Sequence, residues 1–127
     1  MSEGERKFKP IDYDPIVDSL FVSVPDREYK YSIMVGDDII LDFGMLPGRD
    51  KIDVVGFELL EASKKFGVDK YVLRNIKGLH AEISVNEKWV RLKLSIVALQ
   101  HKKERKSDRI LEVANSGIPP LASSITL

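Results

Sequence analysis

Three carboxylates near the start of the chain could bind a metal ion. Asp12, Asp14 and Asp18 lie close together around a predicted turn, and carboxylate oxygens are the ligands that hard cations prefer. The spacing lacks the glycine and the closing glutamate of a calcium-binding loop, and aspartates at turns commonly accept hydrogen bonds from the backbone. The pattern therefore favours turn chemistry over a metal site.

Further carboxylates lie in or beside predicted strands. Asp37-Asp38 precedes an apolar segment that contains Asp42, and Glu58 lies in the next apolar segment. Neighbouring strands could bring such groups together for acid-base or metal chemistry. Because no histidine lies near them in the sequence, we interpret Asp42 as a hydrogen-bonded structural residue and Glu58 as facing solvent.

The chain has two histidines, one tryptophan and no cysteine. Without cysteine there is no disulfide, no thiolate nucleophile and no cysteine-based zinc site. His80 and His101 do not form a ligand pair of the kind that zinc sites use, so we interpret both as surface residues. Trp89 follows a predicted turn, where it could cover the edge of the core or anchor an interface. We favour the core role, and we expect no catalytic residue, no metal and no cofactor.

Basic residues concentrate in segment 88–109, and they are the candidate contacts for an anion or a nucleic acid. Such a cluster gives salt-sensitive binding to phosphates. Glu104 and Asp108 interrupt the cluster, and Trp89 is the only nearby large aromatic residue for base stacking. We therefore keep nucleic-acid binding as an alternative that we do not favour. The candidate residues are Lys88, Arg91, Lys93, Lys102, Lys103, Arg105, Lys106 and Arg109.

The formal net charge is zero, with 20 basic and 20 acidic residues. Residues 1–70 contain 10 basic and 15 acidic residues, a net of −5, whereas residues 71–127 contain 10 and 5, a net of +5. This division could serve complementarity within one subunit, head-to-tail self-association, or a basic face for an anionic partner.

The composition is that of a globular chain, with 127 residues, 43% of them hydrophobic and 31% charged. We predict one domain, 1–127. No apolar run is long enough for a signal peptide or a membrane span, so we expect a cytoplasmic protein that does not bind membranes. High charge without cysteine is also typical of heat-adapted prokaryotic proteins.

Alternating apolar residues predict strands at 19–24 and 28–35, and continuous apolar runs predict strands at 39–43 and 52–60. These four strands could form a meander. We expect the first two strands to pair through a turn at 25–27. Helix-forming residues at 61–66 end at Gly67, a typical C-terminal cap. A second short helix is predicted to begin after Asp69 and to reach Ile76.

The clearest strand pattern is a hairpin, with strands at 79–85 and 90–96 joined by a turn. Residues 100–108 are too charged to pack and predict a loop, 110–113 predict a short edge strand, and the end of the chain predicts a flexible tail. The predicted fold is α+β, an antiparallel β-meander of about six strands with one or two short helices packed on one face. Its parts are a meander with a helix (11–66), a helix and hairpin extension (67–100), and a charged loop and tail (101–127).

Five elements in residues 11–66 resemble a family of small prokaryotic proteins, domain of unknown function 2283. They are Tyr13-Asp14-Pro15, the segment 18–22, Ile40-Leu41-Asp42, the segment 55–59 and Ala62-Ser63. The resemblance implies a compact β-meander capped by a helix. It also implies an antitoxin or accessory role, since some members are thought to be encoded beside toxin-like proteins.

The chain departs from the family pattern in two places. Segment 44–51 is longer than the usual Asp-Gly turn of the family, and the hairpin from Leu79 onward lies outside its short members. These departures place half of the chain beyond what the resemblance describes.

Three functions remain as hypotheses. The favoured one is a non-enzymatic interaction protein, antitoxin-like or accessory, that forms a homodimer and binds a partner protein. The second is nucleic-acid binding through segment 88–109. The third is a small metal-dependent hydrolase that would use Asp14, Asp18 or Asp42. We do not favour it, because no pair of nucleophile and base is visible.

Overall fold

The structure is a computed structural model that describes residues 9–127. Within these residues, nine antiparallel strands form two sheets, and two short helices connect the sheets. The strand count differs from the predicted six, whereas the prediction of a sheet-rich fold with short helices is confirmed. The predicted frayed segment at the N-terminus lies mostly outside the described residues.

The N-terminal sheet has the strand order β1-β2-β5-β4-β3. Its strands are β1 (Ile11–Asp14), β2 (Ser19–Ser23), β3 (Glu28–Val35), β4 (Ile39–Met45) and β5 (Asp53–Leu59). The strands β3, β4 and β5 form a meander, and β2 lies on the far side of β5. Together these four strands make a Greek key.

The predicted pairing of the first two strong strands is wrong, because β2 pairs with β1 and β5 and not with β3. The burial of the two strands gives the physical reason. Ser19, Leu20 and Val22 of β2 are buried, as an inner strand requires, whereas most of β3 is exposed and forms a sheet edge. Alternation alone detects strands but does not distinguish an inner strand from an edge strand.

The C-terminal sheet has the strand order β8-β7-β6-β9. Its strands are β6 (Ile76–Val85), β7 (Trp89–Gln100), β8 (Lys103–Ala114) and β9 (Leu121–Thr126). The predicted hairpin is confirmed, with Val85 opposite Val90 next to the turn. Its strands are longer than the pattern predicted.

The predicted charged loop and flexible tail at 101–127 are instead two strands. All 12 residues of β8 pair with β7, and β9 pairs with β6. A strand at a sheet edge needs paired backbone groups but not buried side chains, so high charge does not prevent β8 from forming. In β9, Ile125 packs into the core at 2% exposure, which holds the end of the chain in place.

The two helices are α1 (Ala62–Phe66) and α2 (Lys70–Leu73). Gly67 caps α1 with φ of 64°, and its amide donates to the carbonyl of Lys64 at 3.2 Å, as predicted. The second helix is a single turn, because Ile76 already belongs to β6. So short a segment gains little from helix propensity, and the pairing of β6 with β7 determines where the helix ends.

Buried side chains from both sheets merge into one hydrophobic core. Phe57 and Leu92 contribute from the two sheets, and Phe66 of α1 also packs into the core. The two sheets therefore pack face to face, with α1 and α2 beside them. In the described part of the chain no helix has both the length and the apolar character needed to cross a membrane.

Candidate functional site

All eight predicted basic residues lie on or beside the hairpin of β7 and β8. The two strands pair along 12 positions, from Trp89 opposite Ala114 to Gln100 opposite Lys103. Lys88 precedes one end of this ladder, and Lys102 lies in the turn at the other end, with φ of 65°. At about 3.4 Å per residue, the two ends are roughly 35–40 Å apart. The hairpin therefore does not gather the eight residues into one patch.

The outer face of the hairpin carries no net charge. Paired residues on one side of a sheet share a face, and the faces here follow from the buried Leu92 and Leu94, which point inward. The outward positions contain three basic residues and three acidic residues. The basic ones are Arg91, Lys93 and Lys106, and the acidic ones are Glu104, Asp108 and Glu112.

Arg91 is occupied by partners within the chain. Its guanidinium contacts the carboxylate of Glu112 at 2.8 Å and lies over the ring of Trp89, 4.0 Å from the centroid. Trp89 is half-buried on the outer face. The favoured core role for Trp89 was therefore wrong, and its ring is partly covered by Arg91.

The inward side of β8 carries unbalanced positive charge. Lys103, Arg105 and Arg109 occupy alternate positions on the same side as Leu111 and Val113, which pack against the core. Position 107 on this side is Ser107, so no acidic residue of β8 shares it. We call Lys103, Arg105 and Arg109 the cationic row.

The cationic row runs beside α1. Arg109 donates from Nε to the carbonyl oxygen of Lys65 at 3.1 Å, close to the C-terminal end of α1, where a positive charge is favourable. A Cβ atom at Gly67 would lie 2.8 Å from the Arg109 guanidinium, so glycine gives the arginine room. Arg105 borders a cavity of about 380 Å³ between α1, Asp69 and β8. Arg105 and Arg109 thus lie on the side of the molecule where the helices lie.

Ion pairs in the described structure form within each half of the chain. Five ion pairs between described residues each join partners within residues 9–70 or within residues 71–127. Lys65 pairs with Asp38 at 2.8 Å in the first half, and Arg91 pairs with Glu112 in the second. Because the interface between the sheets is the apolar core, the charge of each half stays on the surface.

Tyr13, Asp18 and Ser63 form a second polar cluster, where β1, β2 and α1 meet. Asp18 has φ of 57° and accepts hydrogen bonds from the Tyr13 hydroxyl at 2.5 Å and from the Ser63 hydroxyl and amide at 2.7 and 3.0 Å. Asp14 accepts from the amide of Ile16 at 2.9 Å, which is turn chemistry, as predicted. Among the described residues, no group of acidic and histidine side chains is arranged to hold a metal ion.

Burial and hydrogen bonding shift the pKa values in this cluster in opposite directions. Burial alone would raise the pKa of Asp18, but the hydrogen bonds from Tyr13 and Ser63 and the positive charge of Lys70 outweigh it, so the pKa is lowered. Burial, the hydrogen bond to Asp18 and the neighbouring negative charges raise the pKa of Tyr13 above its ordinary value. Asp18 therefore stays ionised and Tyr13 stays protonated, which is the state that the hydrogen bonds require.

Asp42 and Glu58 lie on the outer face of the N-terminal sheet, on adjacent strands. Asp42 accepts a hydrogen bond from Ser32 at 2.6 Å, as expected of a structural residue. Burial raises the pKa of Glu58, and the charge of Asp42 adds to this rise, whereas a hydrogen bond from Ser19 opposes it. Glu58 is thus half-buried instead of fully facing solvent.

The two histidines lie in different surroundings. His80 contacts the hydroxyl of Thr126 at 2.7 Å and the carboxylate of Glu82 at 3.2 Å. His101 lies in the turn of the β7–β8 hairpin, with its ring centroid 6.3 Å from that of Tyr71. Each has partners typical of a surface histidine.

Comparison with known proteins identifies the family. The model of the family described as protein of unknown function (DUF2283) matches residues 10–46. An uncharacterized protein of Methanocaldococcus jannaschii is 34% identical over 107 residues, which are 84% of this chain and 87% of that protein. This chain belongs to the DUF2283 family.

A second relative of this DUF2283 protein is named after an enzyme. A Methanosarcina mazei protein named "Putative hypoxanthine phosphoribosyltransferase" is 38% identical over 85 residues, which are 67% of this chain and 64% of that protein. No solved structure matches the chain.

The DUF2283 match covers β1 to β4 and contains Tyr13 and Asp18 but not the cationic row. The basic residues are evident from the sequence, but their arrangement as a row was missed. The missed signal is the alternation of Lys103, Arg105 and Arg109 with other residues, continued by Leu111 and Val113. This pattern with a period of two is typical of a strand, with cations in place of its first apolar residues.

Proposed function

We propose that this DUF2283 protein is a non-enzymatic interaction protein whose cationic row binds an acidic segment of a partner protein. The single observation that carries the proposal is the unequal charge of the two sides of β8. The outer side of the hairpin balances three basic residues with three acidic ones, whereas the inward side of β8 carries Lys103, Arg105 and Arg109 with no acidic residue.

The backbone of β8 supports the same proposal. The strand is 12 residues long, lies at the edge of its sheet and pairs on one side only, with β7. An exposed strand edge can pair with an extended segment of another chain, and the side chains beside that edge then select the segment. Glutamate or aspartate at alternate positions of the segment would meet the cationic row.

The proposal also includes the oligomeric state, the location and the role of the protein. We propose that it forms a homodimer in the cytoplasm and has an antitoxin-like or accessory role. Both sheets have exposed edge strands, which a second copy can cover. The absence of cysteine from the sequence suits a reducing compartment. The native mass of the purified chain checks the dimer, and a melting temperature above about 65 °C would support heat adaptation.

Two charge-reversal variants test the site. The row variant is Lys103→Glu with Arg105→Glu, and the matched control is Lys93→Glu with Lys106→Glu on the outer face. Both change the net charge equally and all four side chains are exposed, so folding is preserved. Each tagged chain, with the unchanged protein, is used to capture partners from a lysate of its host before and after nuclease treatment.

We expect the unchanged protein and the outer-face control to retain the same partner protein after nuclease treatment, and the row variant to lose it. Retention should weaken with salt, because screening acts on exposed charges. Equal retention by all three chains would contradict a role for the row. Loss of all captured protein on nuclease treatment would instead support the nucleic-acid alternative.

A further inference from the structure

A cavity lies between the loop that joins β4 to β5 and the strands β6 and β9. Its volume is about 440 Å³, within the range of small-molecule sites. The loop includes residues 46–52, in the segment that is longer than the turn typical of the family. The polar groups that matter here are Arg49, Lys51, Asp53, Ser84, Ser123 and Ser124.

The loop side of the cavity supplies two cations. Arg49 and Lys51 line the cavity and are exposed, and neither forms an ion pair with any described residue. A phosphate group would satisfy both, since a guanidinium and an ammonium group are the side chains that bind phosphate most readily. This side of the cavity is thus suited to an anion.

Asp53 supplies a buried carboxylate to the same cavity. It is 9% exposed, and one of its oxygens accepts a hydrogen bond from the amide of Val54 at 2.9 Å. A carboxylate that is largely removed from water is stabilised by hydrogen-bond donors. A ligand hydroxyl group would supply such a donor.

Serine residues complete the lining. Ser84 of β6 and Ser123 and Ser124 of β9 line the cavity. Ser123 is opposite Ile83 and Ser124 is opposite Glu82, so the two serines of β9 lie on opposite faces of the strand pair. A hydroxyl group both donates and accepts, so it can bind a phosphate oxygen or a sugar hydroxyl.

The combination of charges selects the class of ligand. Two cationic residues, Arg49 and Lys51, and two carboxylates, those of Asp53 and Glu82, line the cavity. The carboxylate of Glu82 also contacts His80 at 3.2 Å. A bare anion would lie near the negative charges of Asp53 and Glu82, and a bare cation would be repelled by Arg49 and Lys51. A molecule with a phosphate group and several hydroxyl groups satisfies both.

We propose that this cavity binds a phosphate ester of a sugar, with Arg49 and Lys51 on the phosphate and Asp53 on the hydroxyl groups. The site lies apart from the cationic row and is independent of the protein partner proposed above. Free sugar phosphates and nucleotides share this chemistry, so the test includes one of each.

Isothermal titration calorimetry tests the site with ribose 5-phosphate, AMP, ribose and inorganic phosphate as separate probes. We expect saturable binding of ribose 5-phosphate or AMP, at least about tenfold tighter than that of ribose or phosphate. Tight binding of AMP alone would identify a nucleotide, and equal binding of both would identify the sugar phosphate. If neither phosphate ester binds more tightly than inorganic phosphate, the proposal is overturned.

Variants assign the binding to the cavity. Arg49→Ala with Lys51→Ala should weaken ribose 5-phosphate binding about tenfold or more, and Asp53→Asn should weaken it without changing the weak affinity for phosphate. The control Lys88→Ala removes an exposed lysine outside the cavity and should change nothing. Should Asp53→Asn fail to fold, the exposed double variant still decides. Unchanged affinity in Arg49→Ala with Lys51→Ala would overturn the proposal. We expect unchanged affinity in Lys103→Glu with Arg105→Glu, which would show that this site is separate from the cationic row.

Discussion

The carboxylate of Asp18 accepts hydrogen bonds from the hydroxyl and the amide of Ser63, which lies 45 positions later in the chain. The backbone carbonyl of Asp18 also accepts from the amide of Ala62 at 2.9 Å. Glu61, which directly precedes α1, makes no capping hydrogen bond through its side chain. Asp18 therefore acts as the N-terminal cap of α1 from a distant turn, and it fixes the start of the helix against the N-terminal sheet.

Replacing Asp18 should destabilise the fold. Asp18→Ala removes a charged acceptor and leaves the Tyr13 hydroxyl and the Ser63 amide without it, which we expect to cost about 2–4 kcal/mol of unfolding free energy. The nearby Asp12→Ala is the control and should change stability by less than about 0.5 kcal/mol, since Asp12 makes no such contacts in the described structure. Urea denaturation measures both. Similar losses in the two variants would show that the cap is not the cause.

The same cluster predicts how stability depends on pH. The folded pKa of Asp18 is lowered, so between that value and the unfolded value of about 3.9 the unfolded state binds more protons. The stabilisation is present above the unfolded pKa and is lost as the pH falls through the folded pKa. Asp18→Asn should flatten this part of the acid stability curve, measured by denaturation from pH 6 down to about pH 2. An unchanged slope would exclude Asp18 as its source.

Local patterns in the sequence predicted much of this fold. The alternation of Leu79, Ala81, Ile83 and Val85 opposite β7 gave the hairpin, and Gly67 gave the end of α1. The Greek key was missed because the partner of β2 is decided by contacts with β5, about 35 residues later in the chain. Sequence patterns carry information over a turn or two, whereas strand order depends on which faces the whole chain can bury.

The candidate sites show the same division. The basic residues of segment 88–109 are evident from composition, but their division between two faces follows from the register of β7 with β8. The cavity beside Asp53 brings residues 46–53 next to residues 122–124, and no local pattern links segments so far apart. The unusual length of segment 44–51 is evident from the sequence, but it predicts no cavity.

Gly56 should tolerate no side chain. It lies opposite Ser23 where β2 pairs with β5, and a Cβ atom there would be 2.5 Å from the carbonyl oxygen of Val22. Gly56→Ala must displace backbone in an inner strand, which we expect to cost about 1–3 kcal/mol or more. Gly78 in β6 is the matched control, because its nearest neighbour would lie 3.6 Å away. Equal stability of the two variants by chemical denaturation would contradict the close approach of β2 and β5.

Glu58→Gln should stabilise the protein slightly at neutral pH. The pKa of Glu58 is raised by burial, so the folded state binds more protons than the unfolded state just above the unfolded pKa. Stability is therefore lost as the pH rises from the unfolded to the folded pKa, and the neutral amide avoids this loss. We expect a gain of about 0–1 kcal/mol at pH 7 that disappears below about pH 4. A gain of equal size at both pH values would point to packing instead of charge.

Ile125 should contribute strongly to stability although it is the third residue from the end of the chain. It is 2% exposed and pairs with Ala81 of β6, and the amide of Leu127 donates to the carbonyl of Leu79 at 2.8 Å. Ile125→Ala should cost about 2–5 kcal/mol, because it leaves a cavity in the core that both sheets share. The exposed Ser124→Ala on the same strand should cost less than about 0.5 kcal/mol. Thermal or chemical unfolding of both variants distinguishes a structural strand from the flexible tail that the sequence predicted, since a tail would make both changes equally mild.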